Sequence, residues 1–255
     1  MENISSILES FTPVSLGELD KVALLDRMDT KYVFSRDRLP FFLSKLQENY
    51  FVLQIDGNRM FHYNSLYFDT EGFHLFNLHA SGRTNRYKVR CRRYVESGLV
   101  YFEIKFKNNK GRTIKSRVRL NSEDDIDEGA LELLKEKTPF SIEDLKAMIW
   151  VNYVRITLVS RDFKERLTID LDLSFRQGSE FKSYSNLVIA ELKQNRSCSS
   201  CFSKLMKENH VRTGSLSKYC FGIASMFSNV KSNNFKYQFL SLNKIINAPA
   251  ASFRP

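Results

Sequence analysis

Basic residues are concentrated in one segment of the chain, and their spacing suggests anion binding. Between Gly82 and Arg119 there are thirteen lysines and arginines but only two acids, an excess of eleven, whereas the whole chain has an excess of ten. Within this segment Lys88, Arg90 and Arg92 alternate with apolar residues. In a β-strand that period places the three cations on one face. Guanidinium groups pair bidentately with phosphate oxygens and lysine adds compact charge, so the pattern predicts a surface for phosphate-rich anions.

The same kind of polar face recurs on other predicted strands. Those faces carry Tyr101, Glu103, Lys105 and Lys107; Lys115, Arg117 and Arg119; Tyr153 and Arg155; Arg166, Thr168 and Asp170; and Glu191 and Lys193. The opposite faces are apolar, so a sheet of these strands can bury one face under helices and turn the other toward solvent or an enclosed lumen. A solvent-exposed face usually mixes Thr, Ser and Gln with its charges, whereas these faces are rich in arginine. The recurrence over six strands favours the lumen.

Hydrophobic periodicity and turn signals predict the elements that position these residues. The expected helices are 15–27, 35–49, 70–80, 122–137, 141–150, 201–211 and 216–226, and the expected strands are 29–34, 63–69, 86–94, 100–107, 114–120, 152–160, 166–173 and 187–193. The residues from Ser15 to Glu18 resemble a helix capping box. Without an internal repeat or a linker, we predict a single domain over 1–228 and an irregular C-terminal tail over 229–255.

Composition places limits on location and partners. The chain has 255 residues, of which 42% are hydrophobic, enough for a substantial core. With four cysteines and no secretory signal at Met1-Glu2-Asn3, we expect a cytoplasmic protein with reduced thiols, including the Cys198-Ser199-Ser200-Cys201 pair. No apolar run approaches the ~20 residues that cross a bilayer. Attachment to the inner face of a membrane would therefore require a membrane-protein partner.

Several short motifs, in this order along the chain, resemble those of a known family. They are Asp29-Thr30-Lys31-Tyr32, Tyr67-Phe68-Asp69, Lys88-Val89-Arg90-Cys91-Arg92, Glu103-Ile104-Lys105, Tyr153-Val154-Arg155, Arg166-Leu167-Thr168-Ile169-Asp170, Glu191-Leu192-Lys193 and Ser217-Lys218-Tyr219. Together they resemble the VTC domain, the polyphosphate polymerase branch of the triphosphate tunnel metalloenzymes, in its bacterial stand-alone form. The resemblance runs from about Leu24 to Phe227.

The resemblance implies an α+β fold. Its centre would be a closed antiparallel β-barrel of about eight strands, with a basic lumen open at both ends and helices packed on the outside. It also implies a phosphotransferase that moves the γ-phosphoryl group of ATP onto inorganic polyphosphate with Mn²⁺ or Mg²⁺. Phosphoryl transfer of this kind needs alignment and charge neutralisation rather than a covalent intermediate. No specific nucleic acid is expected as a partner.

The roles of individual residues follow from the resemblance together with the strand faces. Catalytic phosphate contacts are implied for Lys31, Arg90, Arg92, Lys105, Arg155, Arg166 and Lys218. Substrate-binding roles are expected for Lys88, Lys115, Arg117, Tyr153, Lys193 and Ser217. Glu191 would hold the metal, and Glu103 and Asp170 would be either further metal ligands or ion-pair partners of arginines.

Two other functions stay open from the sequence. The same basic lumen suits a metal-dependent hydrolase of tripolyphosphate or nucleoside triphosphates, although Arg27 and Asp29 stand where many tunnel enzymes have alternating glutamates. A non-catalytic module that binds polyphosphate or RNA would present aromatic residues among the cations. Tyr87, Tyr94 and Tyr101 are close enough to the basic segment to keep that alternative.

Overall fold

The computed structural model describes residues 4–19, 27–195 and 199–246. Its strands are β1 (Pro13–Val14), β2 (Arg27–Ser35), β3 (Tyr50–Leu53), β4 (Phe61–Asp69), β5 (Arg86–Tyr94), β6 (Leu99–Lys107), β7 (Thr113–Leu120), β8 (Lys146–Ser160), β9 (Glu165–Gln177), β10 (Glu180–Tyr184), β11 (Leu187–Asn195) and β12 (Thr213–Gly214). Its helices are α1 (Ile4–Glu9), α2 (Leu16–Leu19), α3 (Leu39–Leu46), α4 (His74–Ala80), α5 (Glu128–Lys137), α6 (Cys201–Glu208), α7 (Lys218–Met226) and α8 (Lys236–Ile246). Two 3-10 helices lie at Arg36–Arg38 and Asn233–Phe235.

All twelve strands belong to one sheet, in which the main order is β12-β2-β11-β9-β8-β4-β5-β6-β7. Apart from the parallel pair β1 and β3, the strand pairs are antiparallel. The expected closed barrel of about eight strands is wrong, because in the described part of the chain β7 does not pair with β2 or β12. The free edge of β2 is instead taken by β12, where Thr213 and Gly214 pair with Tyr32 and Lys31.

The structure confirms the three strands predicted for the centre of the chain to within one residue at each end. Strands β5, β6 and β7 form two consecutive hairpins in which Val89 lies opposite Ile104 and Ile104 opposite Ser116. The two turns contain Gly98 and Gly111, whose φ angles are 65° and 75°. Glycine adopts this left-handed region without steric cost, which explains both turn signals.

One predicted helix is wrong and the tail differs from the prediction. Residues 141–150 were expected to be helical, but β8 begins at Lys146 and pairs with both β4 and β9. Ile149 and Val151 are buried there at the strand period, so long-range pairing overrides local helix propensity. The tail was expected to be irregular, yet it contains α8, which buries Leu242 and packs Phe239 against Phe221. These apolar contacts supply the stabilisation that the polar sequence does not suggest.

Other boundaries moved or were missed. The acidic helix expected over 122–137 is the shorter α5, which begins after Asp127, whose side chain accepts a hydrogen bond from the backbone of Ala130. The short strands β3 and β10 were not predicted. Ser15 and Glu18 form the reciprocal capping box at α2. Residues 20–26 of the helix expected there lie outside the described residues. The same holds for Cys198 and for residues 247–255 of the tail.

Helices cover the outer, apolar face of the sheet. The contacts of α3 bury Leu39, Phe42, Leu43 and Leu46 against strands that include β8 and β9. On the neighbouring part of the sheet, α7 packs on β8 and β9 through Phe221 and Ile223. With the apolar face covered, the polar faces of the same strands turn to the other side of the sheet.

The packing of α7 depends on Gly222. A Cβ atom at this position would lie 2.7 Å from the ring of Phe175 and 2.9 Å from Ile149, and both side chains are buried. We expect Gly222→Ala to lower the thermal midpoint of unfolding, because overpacking costs about 1–3 kcal/mol against a helix-propensity gain of at most ~1 kcal/mol. Calorimetry would measure this, with Gly72→Ala as the control because no atom lies within 4 Å of a Cβ there. Equal midpoints for the two variants would contradict the tight packing.

Candidate functional site

Cations from separate strands occupy the polar side of the sheet, and the strand register places them side by side. Lys88 on β5 lies opposite Lys105 on β6, which lies opposite Lys115 on β7. One step along, Arg90 lies opposite Glu103. The neighbouring apolar residues of the same strands, such as Val89 and Ile104, are buried, so the face assignment made from the sequence is confirmed.

Electrostatic neighbours show that the sheet curves around this face. Burial, followed by the charges of Lys88 and Lys115, lowers the pKa of Lys105 to about 8. The same group is also influenced by Glu191 and Lys31, which lie on β11 and β2, at the far end of the sheet order from β6. Strands so distant in the sheet can interact only if their polar faces are turned toward each other. Cations from both ends of the sheet therefore face a common space, and in the described residues no strand pairing closes the sheet around it.

On one side of this space, Glu103 forms ion pairs with two arginines. The Nε atom of Arg90 donates to Glu103 Oε2 over 2.7 Å, and Arg92 Nη1 lies 3.7 Å from the same oxygen. Arg90 also donates to the hydroxyl of Tyr67 over 2.7 Å and lies over its ring. Burial alone would raise the pKa of Glu103, but Arg90 and Arg92 outweigh it and hold that pKa below its usual range. The carboxylate therefore fixes the guanidinium group of Arg90 and lies near that of Arg92, and the three groups together keep a net positive charge.

A second ion-paired group lies between β8, β9 and α7. Arg155 Nε and Nη2 donate to the two oxygens of Asp170 over 2.6 Å and 2.9 Å, and Lys218 Nζ contacts Asp170 Oδ2. Burial would raise the pKa of Asp170, but the Arg155 and Lys218 charges lower it to about 2. The structure thus shows Glu103 and Asp170 in the ion-paired arrangement that was one of their two expected roles.

Glu191 lies between two lysines, facing the same space. Its Oε1 atom is 2.7 Å from Lys31 Nζ, and its Oε2 atom is 3.6 Å from Lys193 Nζ. Burial would raise its pKa, but Lys193 and Lys31 hold it well below the usual range. Glu191 is therefore held in its charged form, with both carboxylate oxygens facing ammonium groups.

The donor set suits a metal that is shared with a phosphate substrate. Among the described residues, no three His, Cys, Asp or Glu side chains are close enough to hold a metal by themselves. Mg²⁺ and similar cations are commonly held by one or two carboxylates, with phosphate oxygens and water filling the remaining positions. Glu191, whose side chain is 21% exposed, could serve as such a single protein ligand if Lys31 and Lys193 contact the phosphate oxygens instead.

The start of helix α7 adds groups to the same space. Ser217 is its N-cap, and the side-chain oxygen accepts a hydrogen bond from the backbone of Cys220. Lys88 Nζ donates to that oxygen over 2.9 Å. Lys218 lies 4.7 Å from the ring centroid of Tyr153. The helix therefore brings a lysine and its own positive dipole end to the basic space.

Residues that were given no role turn out to hold this arrangement together. The hydroxyl of Tyr219 donates to the buried Asp69, which also accepts hydrogen bonds from the backbones of Leu75 and Phe76. Tyr219 stacks on Tyr67 with ring centroids 5.0 Å apart. These contacts fix α7 against β4 and α4. All three residues lie in motifs already visible in the sequence, Tyr67-Phe68-Asp69 and Ser217-Lys218-Tyr219.

The remaining predicted residues differ in burial. Lys115 and Arg117 are exposed on the edge strand β7, where Arg117 lies 4.7 Å over the ring of Tyr101. Arg166 is partly buried opposite Lys193. The structure thus brings most of the predicted set together around one space, with β7 at its open side. The individual roles stay predictions.

Lys105 provides a pH-dependent measure of anion binding. With a pKa of about 8, the free amine is largely neutral at pH 8.5, and a bound polyanion raises the pKa of a nearby lysine. We expect tripolyphosphate binding at that pH to take up as much as about 0.7 proton per molecule at this lysine. Calorimetry in buffers of different ionisation enthalpy measures the uptake. Lys105→Arg, which stays charged, should reduce it, and an unchanged value would contradict this placement.

Comparisons with known proteins agree with the fold. The VTC domain model matches residues 26–227, and no curated protein matches the chain. A putative adenylyl cyclase from Hippeastrum, described as having a dominant triphosphatase activity, superposes with a TM-score of 0.51 at 10% identity over 79% of this chain and 98% of that one. A putative adenylate cyclase from Vibrio parahaemolyticus gives a TM-score of 0.44 at 11% identity over 77% and 98% of the two chains. The Hippeastrum match indicates a similar fold.

Proposed function

Since the chain belongs to the VTC domain family, we propose that it is an ATP-dependent polyphosphate polymerase. In this reaction the γ-phosphoryl group of ATP is transferred to the terminal oxygen of a polyphosphate chain, which releases ADP and lengthens the polymer by one phosphate. Family membership supports a function on triphosphates or polyphosphate. The choice of polymerase is our own inference.

The convergence of cations from several strands and from α7 on one space is the observation that carries the proposal. They come from β2, β5, β6, β8, β11 and α7, and the carboxylates among them are already engaged by cations. Cations this close repel one another: burial, and after it the charges of neighbouring cations, lower the pKa values of Lys105 and Lys193 to about 8. A ligand with several negative charges relieves the repulsion, and triphosphate and polyphosphate provide them.

The proposed mechanism uses positioning and charge. Arg90 and Arg155, each fixed by a carboxylate, would hold phosphate oxygens of donor and acceptor, and Lys31, Lys105 and Lys218 would add charge without demanding one geometry. The attacking group is a terminal phosphate oxygen, largely ionised at neutral pH, so the transfer requires no general base from the protein. Glu191 would hold a divalent ion, which supplies charge neutralisation at the transferred phosphoryl group when bound.

A metal-dependent triphosphate hydrolase is the second candidate, and one feature of the sheet favours it. In the described residues the edges at β7 and β12 are not joined by hydrogen bonds, so water has a route to the space from the side. Water would then be the acceptor. An RNA-binding module has less support, because Tyr94 and Tyr101 are only partly exposed and pack against each other, with ring centroids 5.9 Å apart.

The test is a product assay. Purified protein is incubated with ATP and Mn²⁺, with and without a short polyphosphate primer, and the products are separated on a gel. Lengthening polyphosphate together with ADP supports the polymerase, orthophosphate alone supports the hydrolase, and unchanged ATP contradicts both. Arg90→Ala should abolish product formation. Lys204→Ala, at a side chain that is 78% exposed on α6, should not.

No helix in the described ranges is long and apolar enough to span a membrane. The cytoplasmic location, the membrane-protein partner and the identity of the metal stay predictions.

A further inference from the structure

Tyr63 lies on β4 between two arginines that come from different neighbouring strands. The Cζ atom of Arg155, on β8, is 5.1 Å from the centroid of the Tyr63 ring, and that of Arg92, on β5, is 5.4 Å from it. Tyr153 stacks on the same ring at 5.1 Å with an interplanar angle of 4°, and Tyr94 meets it edge-on at 5.0 Å. The ring is therefore fixed by aromatic neighbours and contacts both cations.

Arg92 differs from the other arginines of the site in what holds it. Arg90 and Arg155 each donate to a carboxylate over 2.7 Å or less. Arg92 is 3.7 Å from Glu103, beyond hydrogen-bond distance, and its Nε atom donates to Ser65 Oγ over 3.2 Å. Arg92 is nearly buried all the same, since only 9% of the residue is exposed. A hydroxyl and an aromatic face thus define the orientation of this nearly buried cation.

The π face of an aromatic ring attracts cations, most strongly where water is excluded. A ring placed between two guanidinium groups therefore offsets part of their mutual repulsion and restricts both planes. The Tyr63 hydroxyl contributes no charge at neutral pH, since burial raises its pKa to about 12. The interaction with the two arginines therefore comes from the ring of Tyr63.

We propose that Tyr63 is a positioning residue whose ring orients Arg92 and Arg155 to receive phosphate oxygens. The proposal rests on the proposed function to the extent that both arginines bind phosphate. It predicts that the ring is required and the hydroxyl is not, and that the effect of the ring is transmitted through Arg92.

The test measures tripolyphosphate binding by calorimetry, without ATP or metal, so that it does not depend on catalysis. We expect Tyr63→Leu to weaken binding about tenfold, because the two arginines are then less restricted before the anion binds, and Tyr63→Phe to bind within about twofold of the original protein. Tyr237→Leu, at a tyrosine that is 80% exposed on α8, is the matched control. Tyr63→Met retains apolar volume and replaces the leucine variant if that one does not fold.

A double-mutant cycle separates positioning from general stability. In an Arg92→Ala background, Tyr63→Leu should weaken binding clearly less than it does alone, because one of its two targets is already absent. Full additivity in the cycle, or a phenylalanine variant as weak as the leucine variant, would overturn the proposal. A failure of the original protein to bind tripolyphosphate would instead refute the proposed function, and the inference with it.

Discussion

Replacing Glu191 with glutamine is expected to lower metal-dependent turnover of ATP at least about 100-fold. Glu191 is the ionised carboxylate that fits a metal shared with phosphate, and a neutral amide is a much weaker ligand for such an ion. The side chain keeps its size, and its one amide oxygen can still accept a hydrogen bond from Lys31, so we expect the fold to persist. The rate of product formation with Mn²⁺ or Mg²⁺ is the measurement.

The same variant should behave in the opposite way toward a metal-free anion. Removing one negative charge between Lys31 and Lys193 makes the space more positive, so tripolyphosphate without metal should bind at least as tightly as before. Glu208→Gln, at a side chain that is 57% exposed on α6, is the control and should leave both properties unchanged. Undiminished turnover in Glu191→Gln would rule out its role as metal ligand.

Replacing Asp170 with alanine is expected to lower the free energy of unfolding by about 3–5 kcal/mol, the usual cost of removing one partner of a buried ion pair. The carboxylate is 3% exposed and is the common partner of Arg155 and Lys218. Without it, two partly buried cations lose their compensating charge. Urea denaturation at pH 7 measures the loss. Glu136→Ala, which breaks an ion pair with a 63% exposed carboxylate, should cost about 1 kcal/mol or less.

Asp170 also predicts how stability changes in acid. The Arg155 and Lys218 charges lower its folded pKa to about 2, below the value of about 3.9 for an unfolded aspartate. Its stabilisation is therefore complete above about pH 4 and is lost as the pH falls through about 2. Over this interval the stability of Asp170→Ala should fall less steeply than that of the original protein. Parallel curves would show that the pairing seen here does not stabilise the folded state.

Local alternation in the sequence was enough to assign strand faces. It placed Lys88, Arg90 and Arg92 together and put Val89 and Cys91 in the core, as the structure confirms. This succeeded because side chains alternate across any strand whatever its partners are. The ordered motifs were likewise sufficient to identify the family, since the match over residues 26–227 covers nearly the same span.

Pairing and enclosure were decided by the tertiary structure. A strand edge does not encode its partner locally, so alternation could not predict that β12 pairs with β2, or that β7 and β2 are unpaired in the part of the chain that the structure describes. Long-range pairing likewise converted the helix expected over 141–150 into the start of β8. The same long-range contacts determined that Asp170 pairs with Arg155 and Lys218 and that Glu191 lies between two lysines. The sequence determined which residues share a face, because that property is local, whereas the fold determined which faces enclose a common space, because that depends on contacts between distant segments.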